Sequence, residues 1–423
     1  MSSVPFATKT WLACVFLGIL LVIQYHFLAV STTPLHFAPK LEASPLVEWA
    51  FVPSRDAENP ALSSDQCDKA FPKLYHEIDR AVAYWKERSH KIGPADFNIE
   101  DREDGDMAST VMIHDNNLIL TNGGLAGRRG RATLSMLYRA LQGATAAGET
   151  LPTVEFTMTQ EDRSKVSGTW NETTTVFGAA RDTSSDFHQR MWVMPDFNWF
   201  ADPPQASGFL EMRRRAAERD APLVAKIAKV FWRGHMWTNR PVREGLLAAA
   251  AGKSWGDVAG IDEIDGHRHP DQMKNEDMCR YMFTAYTEGG SWSGRLKYQL
   301  NCNSVPIVHE LQWHTFYHHL LVPDGSEQNY ISVARDYSDL EERIMPYFGD
   351  PASAQRIADN AVAQFRDRYT SPAAEACYWR RLIRGYAEVS FTPDPYVKVK
   401  SNVSGIEFQS TEIRGQPFEV VIL

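Results

Sequence analysis

Lys229-Val230-Phe231-Trp232-Arg233-Gly234-His235, followed by Met236-Trp237-Thr238-Asn239-Arg240-Pro241-Val242-Arg243-Glu244-Gly245-Leu246, changes its period in mid-course. Residues 229–233 are a short β-prone run, whereas residues 242–251 carry their apolar positions at helical spacing. Pro241 near the first helical position and Gly252 just past the last mark the start and stop of that helix. A strand that turns straight into a helix is the unit of an α/β fold. The unpaired N–H groups at such a helix start, together with its dipole, favour an anion. Arg233, Arg240 and Arg243 crowd the turn, which suits either a phosphate site or a solvated turn laced with ion pairs.

The same grammar recurs on both sides of this stretch. Residues 69–91 have the spacing of an amphipathic helix through Ala70, Leu74, Ile78, Ala81, Val82 and Trp85. Residues 109–114 and 154–159 read as strands, and 131–146 between them as a helix. Downstream, residues 210–226 read as helix-rich, 305–309 as a strand and 352–386 as a closing helical stretch. Strands alternating with helices predict parallel sheets.

A second cluster, Gly289-Gly290-Ser291-Trp292-Ser293-Gly294-Arg295-Leu296-Lys297, joins flexible backbone to hydroxyl donors and two cations. Glycines allow close approach, and the guanidinium fork matches phosphate oxygens. The segment fits neither the dinucleotide nor the Walker pattern, and by itself it also reads as an ordinary turn before a helix.

Residues 11–30 carry no formal charge and are long enough to cross a bilayer as a helix. A cleaved signal peptide ending at Ala29-Val30-Ser31 is the alternative. Residues 31–62, rich in Pro, Ser and Ala, read as a stem. A net charge of −9 without a long basic run argues against nucleic acid as a partner. Outside the apolar stretch stand four cysteines, Cys67, Cys279, Cys302 and Cys377, a set suited to two disulfides in an oxidising lumen. The absence of a Cys-x-x-Cys pair speaks against a thiolate zinc site. Asn171-Glu172-Thr173 and Asn402-Val403-Ser404 are glycosylation sequons. Asp104-Gly105-Asp106, in the acidic segment 100–106, has the form of an Asp-x-Asp metal motif but reads as a solvated loop.

Taken in order, these pieces resemble glycosyltransferase family 90, the capsule-associated and protein O-glucosyltransferase family. The resemblance runs from about residue 151 to 386. It rests on Trp232-Arg233-Gly234 with Arg243-Glu244-Gly245-Leu246, and on Cys279, Gly289, Ser293-Gly294-Arg295-Leu296-Lys297 and Cys302. It implies a GT-B arrangement: two Rossmann-like domains with a cleft between them, preceded by an N-terminal transmembrane anchor and stem. The chain then divides into a cytoplasmic tail 1–10, an anchor 11–30, a stem 31–62, an acceptor-side domain 63–220, a UDP-sugar-binding domain 221–390 and a C-terminal tail 391–423.

The resemblance also implies roles. Arg243, Ser293 and Arg295 look like diphosphate ligands, with Arg233 and the backbone of Gly290, Ser291, Trp292 and Gly294 beside them. His235 stands where the family usually has serine. Asp162, after the Leu-Pro-led strand, takes the place of the catalytic base, and Glu161 is its rival. Ser185-Asp186-Phe187-His188 is similar to the segment lining the family's substrate pocket, so Asp186, Phe187 and His188 are expected there. Glu310, by analogy, would hold a ribose. A Cys279–Cys302 disulfide is implied, with Cys67–Cys377 as the second. The expected activity is an inverting transfer from a UDP-sugar, glucose or xylose, to a glycan, glycolipid or protein hydroxyl. It needs no metal or other cofactor and takes place in the secretory pathway, at the Golgi membrane first. A non-catalytic glycan-binding protein and a metal-dependent GT-A transferase are the rival readings.

Overall fold

The computed structural model describes residues 48–98, 107–125, 127–162, 172–202, 207–262, 269–404 and 406–423. The expected anchor 11–30, residues 31–47 of the expected stem, the Asp104-Gly105-Asp106 motif and Asn171 lie outside the described residues. No helix among the described residues is long and apolar enough to cross a membrane. Residues 50–423 form one unit of mixed α/β structure built on two sheets.

Helix α1 (Ser64–Ala70) opens with a capping box in which Ser63 and Gln66 satisfy each other's backbone N–H groups. The single helix expected over 69–91 is broken, because Pro72 forces Phe71 out of helical geometry (φ −129°, ψ 50°). The chain resumes as α2 (His76–Glu87). Strands β1 (Ala108–His114) and β2 (Asn117–Gly123) pair as a hairpin. Asp115 and Asn116 both take positive φ at its two-residue turn, the requirement of a tight hairpin that matches strand twist. Helix α3 (Gly127–Ala146) starts four residues before the expected helix, and β3 (Val154–Thr159) runs antiparallel to β1.

The first sheet is therefore mixed, with parallel pairing only at the edge where residues 177–178 and 192–193 join β3. The expectation of parallel sheets does not extend to β1–β3, since a hairpin needs no helical crossover. Residues 391–423, expected as a tail, form a hairpin of Tyr396–Val403 with Ile406–Ile413. Gln416–Pro417 then returns to pair with β2 at the sheet's other edge.

The second sheet is parallel throughout, with β4 (Ile227–Gly234), β5 (Gly256–Gly260), β6 (Tyr281–Tyr286), β7 (Val305–His309) and β8 (Ile331–Val333) in the order β5-β4-β6-β7-β8. Helix α4 (Arg240–Ala250) follows β4 and buries Val242 and Leu246 against Trp232, Phe283 and Ile307 in the core. The stretch 210–226, expected to be helix-rich, holds a helix over Phe209–Ala217, ending five residues before Pro222, and a single short turn at Leu223–Ala225. The closing stretch is Pro351–Ala361, a looser turn, and α5 (Pro372–Val389).

Helix α5 packs on the first sheet's helices rather than on the second sheet. A Cβ at Gly385 would lie 2.7 Å from Ile78 of α2, so the two helices touch nearly backbone to side chain. The Cys67–Cys377 disulfide, with Cα atoms 5.6 Å apart, ties α1 to α5. A second disulfide, Cys279–Cys302, with Cα atoms 4.9 Å apart, brackets β6 and the glycine-rich turn after it.

Candidate active site

In a doubly wound sheet, the strand whose connections leave toward opposite edges opens a crevice at the carboxyl ends. Here that point lies between β4 and β6, and both sequence clusters emerge from it. At the end of β4, Trp232 is buried, and its indole N–H donates to Thr287 Oγ1 at 3.0 Å. The guanidinium groups of Arg243 and Arg295 lie over this ring, 5.9 and 5.7 Å from its centroid. Gly234 leaves the room for them: a Cβ there would sit 2.5 Å from the Trp232 ring and 3.1 Å from Arg295 Nη1. One buried indole thus carries two cations at the mouth of the crevice. Arg243 is further fixed by donating to the His235 carbonyl and, at 3.4 Å, to that of Glu288. Burial lowers its pKa, yet a guanidinium stays charged in proteins.

The glycine-rich turn leaves β6 through Tyr286 and Glu288. The Ser293 amide donates to the Tyr286 hydroxyl at 2.9 Å, and the Ser293 hydroxyl accepts the Arg295 amide at 3.4 Å. Burial pushes the Tyr286 phenol up and holds it as a neutral hydrogen-bonding post. Glu288 accepts the amides of Gln312 and Trp313 and pairs with Arg335 at 2.7 Å. Burial raises its pKa against those partners. His309, lowered to about 4 chiefly by burial, accepts the Glu288 amide as a neutral ring at 3.0 Å.

The opposite wall comes from the first sheet. Asp162 lies three residues past β3, and its carbonyl accepts the hydroxyl of the buried Ser291. A Cβ at Gly290 would be 3.8 Å from Asp162 Oδ2, so the carboxylate faces the glycine-rich turn. Asn198 packs so closely on Gly294 that a Cβ there would lie 2.3 Å from its Nδ2. This contact is set by Lys297 and Asp196, both buried and bonded at 3.0 Å, with Asp196 also capping the Asn198 amide. The resulting cleft is about 220 Å³ and lined from both walls by Asp162, His235, Arg243, Trp292, Ser293 and Arg295, among others.

Of the expected residues, the cleft gathers Asp162, His235, Arg243, Gly290, Trp292, Ser293, Gly294 and Arg295, with Ser291 directly behind. Arg233 is not among them. Strand alternation sends it to the face opposite Trp232, where it pairs with Asp257 of β5 and donates to the Asp257 carbonyl at 2.7 Å. Glu310 lies beyond β7, where its carbonyl accepts Arg335 at 2.9 Å, and does not line the cleft. Asp186, Phe187 and His188 stand one layer back. His188 accepts the Asp182 amide at 2.8 Å, is lowered by burial, and abuts Trp313, which packs with Trp292.

Sequence reasoning missed five further lining residues, Arg129, Phe197, Asn198, Trp237 and Thr238. Arg129 belongs to the basic run 127–131, which was the available signal. Trp237 is 72% exposed, an unusual place for an indole. Among the described residues no three His, Cys, Asp or Glu side chains gather where a metal could sit. Asn402 is exposed on the C-terminal hairpin.

A family model described as glycosyl transferase family 90 matches residues 130–413. A search of curated proteins found no match.

Proposed function

The chain belongs to glycosyltransferase family 90, and we propose that it moves a sugar, xylose first and glucose second, from a UDP-sugar to a hydroxyl of a glycan, glycolipid or protein. The proposal includes inversion at the anomeric carbon, no metal requirement, a GT-B arrangement of the two sheets, and anchorage by residues 11–30 in the Golgi membrane. The observation that carries it is the cleft itself, where Asp162 on one wall faces Arg243, Ser293 and Arg295 on the other.

The chemistry follows from that opposition. An acceptor hydroxyl gives its proton to the Asp162 carboxylate while its oxygen attacks the anomeric carbon, and the bond from that carbon to the diphosphate oxygen breaks. The electron pair leaves with UDP. The charge it adds is met by two guanidinium groups already fixed on Trp232, so little reorganisation accompanies the step. The proton then passes from Asp162 to solvent.

The test is Asp162→Asn in the full chain, assayed with UDP-xylose and UDP-glucose for transfer and slow hydrolysis. UDP binding should stay nearly unchanged while turnover falls by at least ~10²-fold, the usual loss with a general base. Full turnover in Asp162→Asn with none in Glu161→Gln moves the base to Glu161. Full turnover in both removes the mechanism.

A further inference from the structure

Arg129 projects into the cleft from the first turn of α3. Its Nη1 donates to Asp162 Oδ1 at 2.7 Å, and its guanidinium lies 4.8 Å from the Phe197 ring centroid. The two charged side chains are 40% and 49% exposed. An exposed pair of this kind adds little to stability, so the stability of the fold does not account for it.

What the pair does is fix a direction. Asp162 is gripped twice, at its backbone carbonyl by Ser291 from the glycine-rich turn and at Oδ1 by Arg129. Oδ2 is the oxygen turned toward Gly290. Resting on the proposed function, we infer that Arg129 is a positioning residue: it occupies Oδ1 so that Oδ2 is the atom offered to the acceptor hydroxyl. Arg129 neither gives nor takes a proton; the proton moves from the acceptor oxygen to Oδ2 as the new glycosidic bond forms and the diphosphate departs. The competing role for an arginine in such a cleft is to bind the diphosphate. Arg243 and Arg295 already share the Trp232 platform on the opposite wall, whereas Arg129 sits on Phe197 with its charge directed at a carboxylate.

The experiment compares Arg129→Ala and Arg129→Lys with the wild-type full chain, measuring kcat and KM for UDP-xylose and UDP-glucose together with UDP affinity. Misplacing a reacting group by about 1 Å costs about 10²-fold. Arg129→Ala should therefore lower kcat by one to two orders of magnitude, while donor KM, UDP affinity and the melting temperature hold. Arg129→Lys, and guanidine added to Arg129→Ala, should each restore part of kcat; guanidine should do nothing for Asp162→Asn. Tenfold weaker UDP binding in Arg129→Ala makes it a diphosphate ligand and overturns the inference, as does an unchanged kcat. If Asp162→Asn is inactive and Arg129→Ala is not impaired, this inference alone fails; if Asp162→Asn is fully active, Asp162 is not the base and the inference falls with that assignment, and the proposed function fails as well only if Glu161→Gln is also fully active.

Discussion

Trp232, Arg233 and Gly234 each answer to a different demand, although they read as one motif. Trp232 supplies the buried face on which two guanidinium groups rest, Arg233 pins the neighbouring strand through Asp257, and Gly234 keeps the space beside the ring empty. Gly234→Ala puts a methyl group 2.5 Å from a buried indole, closer than any real contact. Either the ring or Arg295 must move. We expect this variant to weaken UDP binding by about tenfold or more, the scale of one displaced charge-assisted contact. Equal UDP affinities in the variant and the wild type, by calorimetry, contradict that role for Gly234. Period 2 on β4 could have told Arg233 from Trp232 in the sequence, since neighbours on a strand face opposite ways. Arg129 stood in a basic run, but Phe197 and Asn198 carried no comparable local signal. They reach the cleft only because Lys297 and Asp196 lock one segment against another, about a hundred positions apart in the chain.

At the scale of elements, β4, α4 and β7 of the parallel sheet were legible, whereas β5, β6 and β8 were not read from the sequence. The strand-to-helix change at residues 229–251 and the buried run at 305–309 have strong periods, and β4, α4 and β7 follow them. The β1–β2 hairpin and the C-terminal hairpin were missed: Asp115-Asn116 is a short turn signal between two apolar runs that went unused, and the C-terminal strands are polar at most positions. The helix pair α3–α5 holds a titratable device of its own. Glu375 of α5 is fully buried and accepts Arg139 of α3 at 2.6 Å, and burial raises its pKa to about 7 despite that partner. The folded state therefore prefers the neutral acid. Its contribution is fully present below the ordinary carboxyl value near 4.5 and is lost as pH rises through about 7. In urea titrations, the stability of the wild type relative to Glu375→Gln should fall by on the order of 3 kcal/mol between pH 4.5 and 8. Parallel stability curves contradict this reading of Glu375.

For the whole molecule, function follows from where two sheets present their ends. The parallel sheet offers a crevice between β4 and β6 with cations already fixed in it, and the mixed sheet brings Asp162 to the same opening. Neither wall has both halves of the chemistry. The two sequence clusters, each ambiguous alone, acquire meaning together because both emerge at that crevice, on the wall opposite Asp162. The most direct test is a calorimetric titration of UDP into the wild-type full chain and into Arg295→Ala, with and without chelator. The account predicts measurable UDP binding by the wild type, indifferent to chelator. Affinity should fall roughly ten- to hundredfold in Arg295→Ala, the loss of a hydrogen bond to a charged group. UDP that fails to bind the wild type, or binds Arg295→Ala equally well, contradicts it.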